Sequence, residues 1–139
     1  MCKLVKPSVE KSWLKYFSEE AREASVPQNT IYRHLRENNE NGRGDTALNY
    51  FGRKISYGML LDEVDKAAGA FAAAGIKKGD IVAAATVTIP EMVYALYGLN
   101  KIGAAPLMID PRTTASGVCG FIKETGAKIF IVIDLYYEV

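Results

Sequence analysis

The residues with the clearest potential for chemistry lie in one short segment, Ile109-Asp110-Pro111-Arg112. This segment is predicted to join the end of a strand to the start of a helix, where free backbone N–H groups and the helix dipole favour an anion. Arg112 adds a full positive charge, so the segment suits a phosphate group. The same residues are also typical of an ordinary turn at Asp110-Pro111, followed by an N-cap at Thr114 or Ser116 with Arg112 in solvent. The sequence leaves both interpretations open.

Other familiar catalytic and binding patterns are missing from the sequence. After the first predicted parallel strand, Thr88-Ile89-Pro90-Glu91 stands where a dinucleotide site needs glycines, so we expect a capping box beginning at Thr88. His34 has only charged neighbours such as Arg33 and Arg36, and is predicted to be a solvated surface residue. There is no Walker lysine, no metal-ligand spacing and no Ser-His-Asp set. We therefore expect neither catalytic residues nor a metal site.

Composition and charge exclude several classes of protein. With 139 residues, 49% of them hydrophobic and 24% charged, the chain matches one ordinary globular domain. Its net charge of +1 offers no basic surface for a nucleic acid. The sequence shows no signal-peptide core and no apolar run of transmembrane length. Cys2 and Cys119 are too few for a disulfide framework, which favours a reducing compartment, so we predict a cytoplasmic protein with no nucleic-acid partner and no transmembrane segment.

The elements that position the candidate segment begin with a helical lead-in, predicted over residues 1–45. Its first helix is expected over 8–24, with Ser8 as the N-cap. Trp13 and Phe17 lie four residues apart and are predicted to be packing residues on one helix face.

A second helix of the lead-in is predicted over 30–40, with Ile31 and Leu35 on its apolar face. The polar, glycine-containing stretch 38–45 follows and is the best candidate for a boundary. The remaining residues, 46–139, are expected to form one unit.

This unit is predicted to open with a hairpin and a long helix. Two strands, 47–51 and 54–57, flank Gly52-Arg53, and glycine at the first central position indicates a type II′ turn. A helix is then predicted over 59–74, because apolar residues recur every three or four positions. Gly75 is expected to end it in a Schellman-type cap.

Strands and helices then alternate. Apolar, β-branched strands are predicted at 81–87, 104–109 and 128–133, joined by helices at 90–102 and 116–125. This order predicts an α/β fold, a three-layer doubly wound parallel sheet (βαβαβ) with helices on both faces. Ligands of such sheets bind at the carboxyl ends of the strands. The loops at those ends are 86–91, 109–114 and 133–136.

From Leu48 onward the sequence resembles the N-terminal region of the adenylate-forming (AMP-binding) enzymes, a superfamily that includes the acyl-CoA synthetases. Several motifs occur in the same order and at similar spacing as in that family. They are Ile55-Ser56-Tyr57, Gly75-Ile76-Lys77-Lys78-Gly79-Asp80-Ile81-Val82, Pro90-Glu91, Lys101-Ile102-Gly103-Ala104, Pro111 and Thr125-Gly126-Ala127-Lys128. Within the superfamily, the lead-in and hairpin are most similar to those of fatty-acid–CoA ligases.

The resemblance implies an ATP-dependent ligase that adenylates a carboxylic acid and transfers the acyl group to CoA. ATP, Mg²⁺ and CoA would be its cofactors, and a small carboxylic acid its substrate. The family's catalytic motifs lie downstream and do not occur in these 139 residues. We therefore expect a partial subdomain of a larger fold, an N-terminal fragment that is not catalytic alone, binds no cofactor tightly and needs the remainder of the ligase chain.

In several CoA ligases of this family, the loop that corresponds to 109–112 lies beside the CoA nucleotide. The resemblance thus implies that Ile109, Asp110, Pro111 and Arg112 contact that nucleotide. A freestanding, non-catalytic α/β binding or assembly module is the alternative to a ligase fragment, and the coding sequence after Val139 would distinguish the two. A half-sheet without its natural cover is also expected to self-associate.

Overall fold

The computed structural model describes residues 10–133 of the chain. Its elements follow one another in this order: a 3-10 helix (Ser12–Tyr16), α1 (Glu19–Glu23), α2 (Ile31–Asn38), β1 (Thr46–Tyr50), β2 (Arg53–Ser56), α3 (Tyr57–Ala73), β3 (Ile81–Ala85), α4 (Pro90–Ile102), β4 (Ala105–Met108), α5 (Ala115–Thr125) and β5 (Ile129–Val132).

The α/β prediction is confirmed, with a parallel sheet as the central layer. Strands β4, β3 and β5 are neighbours in that order, and both outer strands run parallel to β3. Side chains alternate between the two faces of a strand. On one face Val82 packs with Leu99 of α4, and on the other Ala83 packs with Val118 and Ile122 of α5. The sheet is therefore the middle of three layers, as predicted.

Helices α3 and α4 pack closely against each other and form the better-buried side of the molecule. Leu60 and Val64 of α3 are fully buried, as their helical spacing predicted. Gly98 of α4 lies against Ala67 and Ala68 of α3, so closely that a Cβ atom at position 98 would come within 3.0 Å of both residues. A glycine at this position lets the two helix backbones approach.

The C-terminal end of α3 has the predicted cap. Gly75 adopts the left-handed conformation at φ 86°, which a residue without a Cβ tolerates. The N–H of Ile76 donates to the carbonyl of Phe71 at 3.0 Å, the long hydrogen bond of a Schellman motif. The chain then turns directly into β3.

The outer edge of β4 contains a proline. The N–H of Ala105 donates to Asp80 and the N–H of Ile109 donates to Ala84, so odd-numbered residues of this segment bond to β3. Backbone groups of successive residues point to opposite sides of a strand, which places Pro106 on the outer side. Because proline has no N–H, this edge lacks a donor that another strand would need.

The first predicted helix, over 8–24, is wrong as one element. The described part divides into the 3-10 helix and the five-residue α1, and Ser18 caps α1 by accepting a hydrogen bond from the N–H of Ala21 at 3.2 Å. Trp13 and Phe17 are 42% and 49% exposed, so they are not the expected packing anchors. Few apolar residues occur here to hold a long helix against the core. The predicted cap Ser8 lies outside the described residues.

The second predicted helix is confirmed in place but differs in its buried face. Helix α2 spans Ile31–Asn38, and its buried residue is Tyr32, whereas Ile31 is 65% exposed. Leu35 packs against the core as expected. Tyr32 is favoured because its ring fills the core while its hydroxyl reaches a polar partner. The predicted division between 1–45 and 46–139 stays a prediction.

The hairpin is confirmed, but its turn differs from the predicted type. Tyr50 pairs with Arg53, which leaves Phe51 and Gly52 as the two loop residues. Both have positive φ, 48° and 86°, and this combination defines a type I′ turn. Asn49 supports the turn, because its side-chain oxygen accepts a hydrogen bond from the N–H of Gly52 at 3.1 Å.

The capping box predicted at Thr88 is absent. Helix α4 begins at Pro90 with Ile89 as its N-cap, and no side chain bonds to the cap position. Proline in the first turn explains the difference, since it needs no hydrogen-bond acceptor there and its φ already suits a helix.

Candidate functional site

Two of the three loops at the carboxyl ends of the strands form one open cleft. Its volume is about 640 Å³, and it is lined by Thr86, Val87 and Thr88 after β3 and by Met108 to Arg112 at the end of β4. The loops predicted from the strand pattern, 86–91 and 109–114, therefore meet, as expected at this edge of a parallel sheet. Of the third loop, 133–136, only Ile133 lies within the described residues.

A bidentate ion pair occupies the rim of this cleft. One carboxylate oxygen of Asp110 accepts from the backbone N–H of Arg112 at 2.9 Å and from its Nε at 3.0 Å, and the other accepts from Nη2 at 2.6 Å. These hydrogen bonds hold the pKa of Asp110 to about 2 and raise the pKa of Arg112. The Arg112 side chain is 86% exposed, so its charge is neutralised by Asp110 while its surface remains open to solvent.

The start of α5 shows the turn and cap that the sequence offered as the alternative. The N–H of Thr113 donates to the carbonyl of Asp110 at 2.9 Å, which closes the turn. Thr114 is the N-cap, and its hydroxyl oxygen accepts from the N–H of Gly117 at 3.3 Å. An anion at the start of α5 would therefore compete with the Thr114 hydroxyl for the N–H group of Gly117. The predicted contact with a CoA nucleotide stays a prediction.

The four candidate residues do not all face the cleft in the same way. The side chain of Ile109 is buried against α5, so it positions the loop and does not reach outward. Pro111 is half-buried and lines both the cleft and a second cavity. Asp110 and Arg112 carry the exposed polar groups. Any recognition of a ligand by this loop depends on those two side chains and on the nearby backbone.

The second cavity is an apolar groove between α5 and the sheet, with a volume of about 250 Å³. Its wall from the sheet includes Phe130 and Val132, and its wall from the helix includes Val118, Cys119 and Ile122. The sequence predicted a helix over 116–125 but did not indicate a gap beneath it. The groove shows that α5 covers the sheet incompletely.

Sequence reasoning also missed a polar network that joins three helices. One carboxylate oxygen of Asp65 in α3 accepts from the Tyr32 hydroxyl at 2.9 Å and from Nζ of Lys101 in α4 at 2.6 Å. Burial tends to raise the pKa of Asp65, but the hydrogen bonds from Lys101 and Tyr32 outweigh it and lower the pKa. Asn100 is the fourth residue of the network, because its side-chain oxygen accepts from the N–H of Tyr32 at 2.9 Å. The network holds α2 against α3 and α4.

His34 is exposed in the structure and contacts Asn38 of the same helix. Within residues 10–133, no group of three or more His, Cys, Asp or Glu side chains could hold a metal ion. In the same part of the chain, no helix has the length and apolar character needed to cross a membrane.

The model of the AMP-binding enzyme family matches residues 35–138. The chain belongs to this family. Its curated relatives include an acetyl-coenzyme A synthetase from Streptomyces avermitilis, 36% identical over 120 residues, a match that covers 82% of this chain and 18% of the relative. A crotonobetaine/carnitine–CoA ligase from Proteus mirabilis is 45% identical over 82 residues, covering 59% and 16%. The chain thus spans less than a fifth of these relatives, and the resemblance to acyl-CoA synthetases is confirmed.

Solved structures of two larger proteins contain the same fold. The N-terminal domain of FACL13 from Mycobacterium tuberculosis matches 76% of this chain at 26% identity with a TM-score of 0.71. The N-terminal subdomain of NpsA from Klebsiella oxytoca also matches 76% with a TM-score of 0.71, at 24% identity. Each match covers 27% of the larger structure, so the described fold is a partial subdomain of a larger architecture.

Proposed function

We propose that this chain forms the N-terminal part of an ATP-dependent acyl-CoA ligase. The complete enzyme would adenylate a small carboxylic acid with ATP and Mg²⁺, releasing pyrophosphate, and then pass the acyl group to the thiol of CoA, releasing AMP. The observation that carries this proposal is the family match over residues 35–138, together with relatives that are CoA synthetases and ligases. The remainder of the ligase chain would be the principal partner. Fatty acids as substrates stay a prediction.

The chain alone is expected to be inactive. Residues 10–133 supply a scaffold, and the charged groups that line the cleft at the sheet edge, Asp110 and Arg112, are paired with each other. We expect no exchange of labelled pyrophosphate into ATP when the chain is incubated with ATP, Mg²⁺ and acetate. Robust exchange that is abolished by heat and absent from a mock purification would refute the proposal that the chain alone is inactive.

Within the complete enzyme, the segment Ile109-Asp110-Pro111-Arg112 would lie beside the nucleotide part of CoA. A cleft of about 640 Å³ is in the size range of ligand pockets, roughly 300–1,000 Å³. The guanidinium of Arg112 forms two parallel hydrogen bonds with Asp110, and the same fork fits two oxygens of a phosphate group. Arg112 would therefore exchange its carboxylate partner for a phosphate when the nucleotide binds.

Titration of the ¹⁵N-labelled chain with CoA, followed by NMR, tests this contact. We expect weak binding, roughly millimolar, with amide shifts concentrated at residues 110–114 and reduced at least severalfold by Arg112→Ala. Arg33→Ala is the matched control, because Arg33 is also an exposed arginine paired with a carboxylate, at 2.6 Å from Glu37. Shifts that persist in Arg112→Ala, or that cluster elsewhere, would refute the contact without touching the family assignment.

A further inference from the structure

The turn of the hairpin contains a strained aromatic residue. Phe51 has a φ of 48°, in the left-handed region that a residue with a Cβ adopts only at a cost. The pairing of Tyr50 with Arg53 leaves a two-residue loop, and both turn types preferred there require a positive φ at the first loop position. Asparagine, aspartate and glycine suit that position best. Phe51 therefore occupies a site where another residue type would make the hairpin more stable.

Burial does not offset this strain. The Phe51 side chain is 94% exposed, more than any other large apolar side chain within residues 10–133. Its ring lies edge-on to the ring of Tyr50, with 4.7 Å between the two ring centroids. This contact offsets only part of the strain. A residue that is strained and gains little packing indicates a function outside the fold, in this case a contact made by the exposed ring.

Two cations lie beside the exposed ring. Arg53 and Lys54 directly follow the turn, and both are exposed. Neither takes part in the ion pairs found within residues 10–133. The whole hairpin, residues 46–56, contains no aspartate and no glutamate. The tip of the hairpin, residues 50–54, thus combines an exposed aromatic ring with positive charge.

We propose that the tip of the hairpin binds the surface of an anionic lipid membrane. Phe51 would insert at the level of the lipid head groups, where aromatic side chains are favoured, and Arg53 and Lys54 would pair with lipid phosphates. A two-residue turn is narrow and convex, so its apolar ring enters a deformable lipid surface without a preformed pocket. Such binding is peripheral and reversible and needs no helix that crosses the bilayer. This contact is independent of the proposed ligase activity.

Sedimentation of the chain with sucrose-loaded vesicles measures the binding. We expect binding at about 5 mM lipid to vesicles of phosphatidylcholine with roughly 30% phosphatidylserine, and roughly threefold or more weaker binding to phosphatidylcholine alone. Phe51→Asn should lower the bound fraction by roughly threefold or more, because asparagine suits the turn but not the lipid. Tyr16→Asn is the matched control, since Tyr16 is 80% exposed beside Lys15, and it should bind like the wild type.

The melting temperature distinguishes a binding role of Phe51 from a structural one. Asparagine relieves the strained backbone, so Phe51→Asn should melt at the wild-type temperature or up to about 5 °C above it. The same result is expected when the substitution is made in the complete ligase. A lower melting temperature in either protein would overturn the proposal, because the ring would then pack against the chain itself or against the remainder of the ligase.

Vesicles that contain a paramagnetic head-group lipid identify the surface that meets the membrane. NMR signals of the ¹⁵N-labelled chain should weaken severalfold more at Phe51 and Gly52 than at Thr46, which lies at the opposite end of β1. Weakening centred on another surface would overturn the proposal, as would wild-type binding by Phe51→Asn. Absence of binding to either type of vesicle would also overturn it and would favour a protein partner for the tip.

Discussion

The close approach of α3 and α4 at Gly98 can be tested by a single substitution. A Cβ atom at Gly98 of α4 would lie 3.0 Å from Cβ of Ala67, 3.0 Å from the backbone nitrogen of Ala68 and 3.3 Å from the carbonyl carbon of Ala67. These atoms belong to the backbone of α3 or are fixed to it, so no side-chain rotation relieves the overlap. Gly98→Ala must therefore push α3 and α4 apart.

Two opposing effects determine how much Gly98→Ala changes the free energy of unfolding. Overpacking of this kind costs about 1–3 kcal/mol, whereas replacing glycine by alanine inside a helix stabilises by roughly 0.5–1 kcal/mol. Gly69→Ala is the matched control, because Gly69 is exposed on α3 and has no atom within 4 Å of the added Cβ. Both variants gain the same helix preference. The difference between them therefore isolates the contact, and we expect Gly98→Ala to be less stable than Gly69→Ala by about 1–3 kcal/mol.

Urea unfolding followed by circular dichroism at 222 nm measures this difference directly. In a thermal scan, the same difference corresponds to melting temperatures roughly 3–15 °C apart for a chain of this size. Gly69→Ala should melt slightly above the wild type. Equal stability of the two variants would refute the close approach of α3 and α4.

Three further changes test other parts of the structure. Tyr32→Phe removes one hydrogen bond of the three-helix network and should lower the free energy of unfolding by about 0.5–1.5 kcal/mol in urea melts, and no loss would mean that the hydroxyl contributes nothing. Hydrogen bonds from a lysine side chain and a backbone N–H lower the pKa of Asp80, so its stabilising contribution is present above about pH 4 and is lost as the pH falls through the lowered pKa. Asp80→Asn should thus reduce the melting temperature at pH 7 but not near pH 2, and a deficit that does not depend on pH would contradict this reasoning. Asp62→Asn is the control, because it removes an exposed surface pair and should change the melting temperature little. Asp110→Asn frees Arg112 from its competing carboxylate and should tighten the NMR-detected binding of CoA by roughly two- to fivefold, whereas weaker binding would argue against a phosphate contact at Arg112.

The parts of the fold that follow from periodic burial could be predicted from the sequence. Leu60 and Val64 repeat with the spacing of a helix, and the continuous apolar strands beginning at Ile81 indicate a sheet covered on both faces. Gly75 and Gly103 mark helix ends because few other residues adopt a left-handed backbone there. In each of these cases a local pattern and the tertiary packing favour the same structure.

Predictions failed where a tertiary contact decides between local alternatives. Ile31 and Tyr32 are both apolar enough to face the core, but only Tyr32 also reaches Asp65, which is 33 residues away in the sequence. The turn type of the hairpin depends on the register between Tyr50 and Arg53, and the residues in the turn do not reveal that register.

The position of the candidate loop at the sheet edge followed from the prediction of β4, because the loop begins where that apolar strand ends. Its internal ion pair was not predicted, because two oppositely charged residues two positions apart pair only when the backbone turns between them. Here the turn at Asp110-Pro111 brings the carboxylate onto Arg112.

The proline in β4 limits how far this sheet can grow. A strand that approached β4 from outside would find one hydrogen-bond donor missing, so this side of the sheet resists the addition of a further strand. A residue with a free N–H at position 106 would restore that donor. The outer side of β4 would then become open to the edge-to-edge association that leads to aggregation.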